Sequence, residues 1–108
     1  MTATASARSS VTRSIWRIAR AVSVPVTADV EAGYGNRPED AARAAQEVIA
    51  AGAVGMNLED ATNDPGHPLI DFQLAIEKVK AVREVGMKSG VPIVLNARTD
   101  VYLLQVGP

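Results

Sequence analysis

Three short β-prone runs, VPVTADVE at 24–31, VGMNLE at 54–59 and VPIVLNAR at 91–98, alternate with stretches of helical period, and this alternation restricts the fold more than any other feature of the chain. Apolar residues at Val11, Ile15, Ile18 and Val22 recur at helical steps and predict a helix over about 10–22, preceded by a flexible start from Met1 to Ser10. Pro38 suits a first helical turn, Glu39 and Asp40 suit its dipole, and Gly52 follows an Ala-rich stretch, so a second helix is expected at about 38–51. Asp71 can cap a third, whose stripe of Phe72, Ile76, Val79 and Val82 runs to about Met87 before Gly90 and Pro92 close it. Val101 to Gln105 reads as the beginning of another helix. Strands alternating with helices specify a parallel sheet joined by right-handed crossovers.

Successive side chains of a strand point to opposite faces, so each run divides by parity. One face carries Val26, Ala28, Val30, then Val54, Met56, Leu58, then Ile93, Leu95, Ala97, and is apolar enough to receive helices. The other carries Thr27, Asp29, Glu31, then Gly55, Asn57, Glu59, then Val94, Asn96, Arg98, and becomes polar only toward the carboxyl ends. A sheet covered by helices on both sides should be apolar on both faces, whereas a barrel has a packed interior that opens into a polar mouth at the C-terminal rim. The pattern favours a barrel.

With adjacent strands, Asp29, Glu31, Glu59 and Arg98 would meet at that mouth. Three neighbouring carboxylates repel and raise one another's pKa unless a cation intervenes, and their hard oxygens suit Mg²⁺ or Mn²⁺ with waters completing the coordination. Arg98 offers a planar fork for a carboxylate or phosphate. A single acid at a strand end is ordinarily a cap, a surface residue or half of an ion pair; three at matched parity make that bland reading harder to keep. Asp60 and Asp100 have the wrong parity, which leaves Asp60 as loop or outer support and Asp100 as an N-cap. His67 reads as a solvated loop residue, Trp16 and Tyr102 as packing residues, and Tyr34, between Gly33 and Gly35, as a candidate pocket wall. Those glycines permit positive φ and close backbone approach to a ligand.

The formal net charge of −1 gives no global field for nucleic acid or a membrane surface, although residues 1–28 hold four arginines and no acid. Rich in Arg and Ser, that stretch also has the composition of an organellar transit peptide, the alternative to a helix docked on a sheet. The absence of cysteine excludes disulfides, thiolate metal sites and a cysteine nucleophile, and fits a reducing, cytoplasmic setting. No apolar run approaches the roughly 20 residues of a membrane span.

The segments PVTADVEAGYGN at 25–36, GAVGMNLEDA at 52–61, PLID at 68–71 and VLNARTD at 94–100 resemble the isocitrate lyase and phosphoenolpyruvate mutase superfamily, especially its phosphonomutase-like branch. The resemblance spans about residues 11–108 and implies an α/β fold, a partial (β/α)₈ TIM barrel of about three consecutive β/α units with parallel strands. It implies chemistry that makes or breaks a C–C or P–C bond beside a 2-oxo acid or its enolate, on an oxaloacetate, phosphonopyruvate or 2-methylisocitrate-like substrate. It further implies Mg²⁺ held near Asp29, Glu31 and Glu59, partly through waters. Glu59 and Arg98 would take part in catalysis, and Gly33, Tyr34, Gly35, Asn96 and Arg98 would bind substrate. Two departures stand out: Glu31 lies where many relatives have Asp, and the loop after Glu59 lacks the Lys-Lys-Cys-Gly-His-like segment of the lyases. The second favours a phosphonomutase-like or oxaloacetate-type substrate.

A whole barrel takes about 250 residues, so strands on either side of this arc are expected elsewhere, and the arc alone would expose two parallel edges and an apolar face that favour self-association into a homo-oligomer. The competing expectation is an inactive barrel remnant that acts only by assembling with itself or a full-length relative. A small open α/β binding domain fits poorly, because GYGNRP is followed by acids unsuited to cradling an anion.

Overall fold

The structure, a computed structural model, describes the backbone of residues 2–106 and the side chains of residues 9–106. Met1, with which the expected flexible start begins, lies outside the described residues. Among the described residues three helices and three strands alternate: α1 (Thr2–Ala21), β1 (Thr27–Asp29), α2 (Pro38–Ala50), β2 (Gly55–Glu59), α3 (Phe72–Ser89) and β3 (Val94–Arg98).

The helix expected from about residue 10 begins at Thr2. Residues 2–10 contain neither Gly nor Pro and three of them are Ala, the strongest helix former, so nothing in the segment stops the backbone turn. Helix α2 buries Ala41, Ala44, Ala45 and Val48, one face at the i, i+3, i+4, i+7 spacing. Its first turn is fastened by Asp40, whose Oδ2 accepts the Arg37 N–H at 3.1 Å. In α3 the Asp71 carboxylate accepts the N–H groups of Gln73 and Leu74, and Gly90 ends the helix at φ 79°, as expected of a cap and a left-handed stop. Phe72, assigned to the buried stripe, is 79% exposed. It sits in the first turn, before the part of α3 that buries Lys78 and Val82.

The strands are parallel and stand in chain order, β1-β2-β3. Thr27 is level with Gly55 and Val94, Ala28 with Met56 and Leu95, Asp29 with Asn57 and Asn96, and Glu59 with Arg98. Helices α2 and α3 pack on one another, and both join one core cluster with the apolar strand face, so both crossovers lie on one side of the sheet. A doubly wound sheet sends helices to both faces from a point where strand order reverses; consecutive neighbours with one-sided helices describe instead an arc of a β/α barrel. The core lies between that arc and the helices: Ala28, Val30, Met56 and Leu58 from the sheet meet Ala41, Ala45 and Val48 of α2 and Val82 of α3. Ile15 ties α1 to the same cluster. Strand β1 is shorter than its sequence run at both ends, and at the carboxyl end Glu31 turns to φ 54° and takes the chain out of the extended region. Residues 101–105, expected to start a helix, form turns instead. Among the described residues no helix is long and apolar enough to cross a membrane.

Candidate active site at the strand ends

The polar parity of the three strands survives folding. Asp29, Asn57 and Asn96 occupy one level across the sheet, and Glu59 and Arg98 the next. Asn96 donates from Nδ2 to Oδ1 of Asn57 at 3.1 Å, a bond between neighbouring strands that fixes both amides. One level above, an Arg98 terminal nitrogen pairs with Oε1 of Glu59. Arg98 also donates from Nε to Oδ1 of Asp100 at 3.1 Å, so its guanidinium lies between two carboxylates of its own chain. Asp100, first among the causes, and Glu59 hold Arg98 more firmly protonated than usual.

Asp100 was expected to cap a helix and does not. It is 3% exposed, its carboxylate accepts from Arg98, and its own N–H reaches Oδ1 of Asp60 at 2.9 Å. The parity rule applies only within a strand, and β3 ends at Arg98. Asp60 supports the rim from outside, as read from the sequence: its Oδ2 also accepts the Thr99 hydroxyl at 2.7 Å.

Glu59 is raised above the ordinary carboxylate range. Burial is the largest cause; the hydrogen bond and charge of Asp100 add to it, Arg98 opposes it, and Asp29 contributes a further push. Tyr34 is pushed up to about 12, first by burial and then by the charges of Glu31, Asp29 and Glu47. Negative groups therefore gather around this end of the sheet and feel one another.

Glu31 departs from its expected place. Strand alternation lapses before it, and its backbone sits in the left-handed region, tied by its N–H to Oδ1 of Asp29 at 3.0 Å and by its C=O to the Glu59 N–H at 2.8 Å. The two glycines beside Tyr34 have reasons within the fold. A Cβ on Gly33, at φ 84°, would press on Ala41 and Leu58 at 3.3 Å, and one on Gly35 would meet the Asp40 carboxylate at 2.2 Å. Both serve to bring the turn against the start of α2.

Among the described residues no group of three or more acids, histidines or cysteines is tight enough to hold a metal ion. Asp29, Glu31 and Glu59, expected to hold Mg²⁺ partly through waters, are engaged within the chain: Glu59 is turned to Arg98 and Asp29 to the Glu31 amide. Mg²⁺ usually keeps several waters and takes only one or two carboxylates. All-oxygen donors with mutual like-charge strain fit such a hydrated ion, and do not form a closed cage for a bare one.

Lys78 escaped the reading of the sequence. It lies on α3, 1% exposed, and donates from Nζ to the Ala32 C=O at 2.5 Å and the Gly35 C=O at 2.9 Å. Its spacing of four from Val82 put it on the buried face, a signal overridden by its charge. Trp16, read as packing, is 48% exposed with Arg20 stacked 4.3 Å from its ring centroid, and Tyr102 is exposed. A groove of about 730 Å³ counts Glu59 and Arg98 among its walls but is otherwise lined by residues such as Leu58, Ile76, Val79 and Ala97, on the helix side of the strands.

One-sided β/α units ending in a rim of acids, amides and one arginine define the class: an arc of a β/α barrel of the kind that carries enzyme sites at its C-terminal face. The phosphoenolpyruvate phosphomutase family model matches residues 3–108, and the chain belongs to that family. The superfamily resemblance carried by the four motifs is thereby borne out, and the chain's relatives include lyases as well as mutases.

A phosphonomutase-like protein of Burkholderia cenocepacia J2315 superposes with a TM-score of 0.83 at 43% identity, over 89% of this chain and 39% of that one. Phosphonopyruvate hydrolase, solved in complex with oxalate and Mg²⁺, superposes with a TM-score of 0.79 at 25% identity, over 89% of this chain and 33% of that one. Oxaloacetate decarboxylase of Rhodopseudomonas palustris (strain BisB5) is 35% identical over 96 residues, which are 84% of this chain and 29% of that protein. The chain spans about a third or less of the curated relatives it matches.

Proposed function

We propose that this chain supplies one arc of a Mg²⁺-dependent lyase or mutase that makes or breaks a C–C or P–C bond beside a 2-oxo acid, with an oxaloacetate- or phosphonopyruvate-like substrate. The observation that carries the reading is the level arrangement of Asp29, Asn57 and Asn96 beneath Glu59 and Arg98 at the carboxyl ends of adjacent strands. The oxalate and Mg²⁺ of phosphonopyruvate hydrolase support it by likeness of fold.

In this reading Asp29, Glu31 and Glu59 hold the ion, largely through its waters. Bound Mg²⁺ supplies fixed positive charge against the negative charge that develops on a 2-oxo acid. Arg98 exchanges its contacts with Glu59 and Asp100 for the substrate's carboxylate or phosphonate, a bidentate match for its fork. Asn96, held by Asn57, orients a substrate oxygen beside it, and Gly33, Tyr34 and Gly35 form the adjoining wall. Glu59, freed from Arg98 in that exchange and raised by burial and Asp100, is placed to hold or release a proton at its carboxyl group.

Calorimetric titration with Mg²⁺ tests the reading. Asp29→Ala and Glu59→Ala should each weaken binding by roughly 10–100-fold, the range typical of lost support around a metal. Affinity unchanged in both variants would sink it. The assembly-only alternative is favoured by the exposed sheet edge at Val94, which is 67% exposed; it predicts a stable oligomer on size exclusion that is indifferent to Mg²⁺ and to both substitutions.

A further inference from the structure

Lys78 is buried within α3, yet its ammonium donates to two carbonyls of a loop more than forty residues away in sequence. An ionised amine withdrawn from water is costly unless hydrogen bonds satisfy it. Both acceptors come from the 31–36 turn: the Ala32 carbonyl directly follows Glu31, and the Gly35 carbonyl directly follows Tyr34. The same turn holds three residues in the left-handed region, Glu31 at φ 54°, Gly33 at φ 84° and Tyr34 at φ 63°. Two of these carry side chains and are strained there, a condition that persists only where the surroundings over-determine the backbone. The two carbonyls converge on one nitrogen only while the turn keeps this shape. The burial of Lys78 and the shape of the turn therefore depend on each other: burial pulls the Lys78 pKa below the ordinary lysine value, and the charges of Asp40 and Asp60 oppose that pull.

We propose that Lys78 is a positioning residue that clamps the 31–36 turn from beneath and so holds Glu31 and Tyr34 at the strand-end rim. The inference rests on the reading of that rim as the substrate and metal site, but its central claim concerns the turn itself. The aliphatic stem of Lys78 could fill the same space without the ammonium, and that alternative separates cleanly. Lys78→Met keeps the stem and removes the donors; Lys78→Arg keeps donors.

Amide hydrogen exchange of the 108-residue chain is the measurement. In Lys78→Met the amides of Glu31 and Gly33, which donate to the Asp29 carboxylate and the Val30 carbonyl, should exchange about tenfold faster, equivalent to about 1.4 kcal/mol, while those of β2 and the middle of α2 keep their rates, and Lys78→Arg should recover most of the protection. Unchanged protection of the turn, or an equal acceleration everywhere, would overturn the clamp. Should Lys78→Met not fold, the unsubstituted protein decides: scalar couplings across hydrogen bonds from the Lys78 amine nitrogen to the Ala32 and Gly35 carbonyl carbons support the clamp, and a Lys78 ammonium without them, exchanging freely with water, overturns it. A parallel Mg²⁺ titration addresses the consequence at the rim. Affinity lost in step with the opened turn supports positioning, and an opened turn with native affinity overturns it. Absence of Mg²⁺ binding by the unsubstituted chain would instead remove the functional reading, leaving the exchange rates to decide the clamp.

Discussion

Tyr34 shows how much of the site's character is set by where single side chains end up. Its hydroxyl is pushed up to about 12 by burial first and by Glu31, Asp29 and Glu47 next. A folded-state pKa above the unfolded value means that the native protein keeps a proton the unfolded chain releases, so this contribution is whole below about pH 10 and lost as pH rises toward about 12. In a Tyr102→Phe background, ionisation followed by absorbance should place the Tyr34 midpoint near 12, and Glu31→Gln should move it down. A midpoint insensitive to Glu31 would mean that its carboxylate does not face the ring. The same scale shows what strand parity could and could not disclose. Asp29, Glu59 and Arg98 lie inside extended segments, and their level was readable from alternation alone. Glu31 and Asp100 lie just past strand ends, where the two-residue period no longer determines direction, and Lys78 was hidden because a charged residue on a helix is ordinarily solvated.

Among the elements, helix boundaries set by side-chain chemistry were legible and those set by the absence of a breaker were not. Asp71, Pro38 and Gly90 mark ends that the structure reproduces, whereas α1 runs back through residues whose only recommendation is that none interrupts it. The cap on α3 carries a measurable share of stability. Asp71→Ala removes the acceptor for the Gln73 and Leu74 amides and should cost about 1 kcal/mol, read as a lower urea midpoint at an unchanged slope. An unaltered midpoint would mean that water replaces the carboxylate without loss. Phe72 illustrates the opposite case: it continues the helical period, but the stripe reaches the core only beyond the first turn, so period alone overstated the buried face.

For the molecule as a whole, helices cover one side of the sheet and the other presents Asn57, Asn96 and Arg98 together with exposed Val94. The alternation of strand and helix made the parallel sheet legible, and polar carboxyl ends made the barrel sense legible; the packing of α2 on α3 then supplied the reason that both crossovers share a side. Exposed apolar surface at Phe72, Val94 and Leu103 predicts concentration-dependent association. Sedimentation velocity over a hundredfold range of concentration should show growth in mass, and a single monomeric boundary throughout would contradict it.

Asp60 joins what this architecture would otherwise leave separate. One carboxylate oxygen receives the Thr99 hydroxyl, the other receives the Asp100 amide, and its carbonyl receives the amide of Ile70, where the chain turns back toward α3. The exits of two strands and the return of the connecting loop are thus pinned to a single residue. They are coupled like spokes on one hub: a displacement of any of the three must be shared by the other two or break a bond at Asp60.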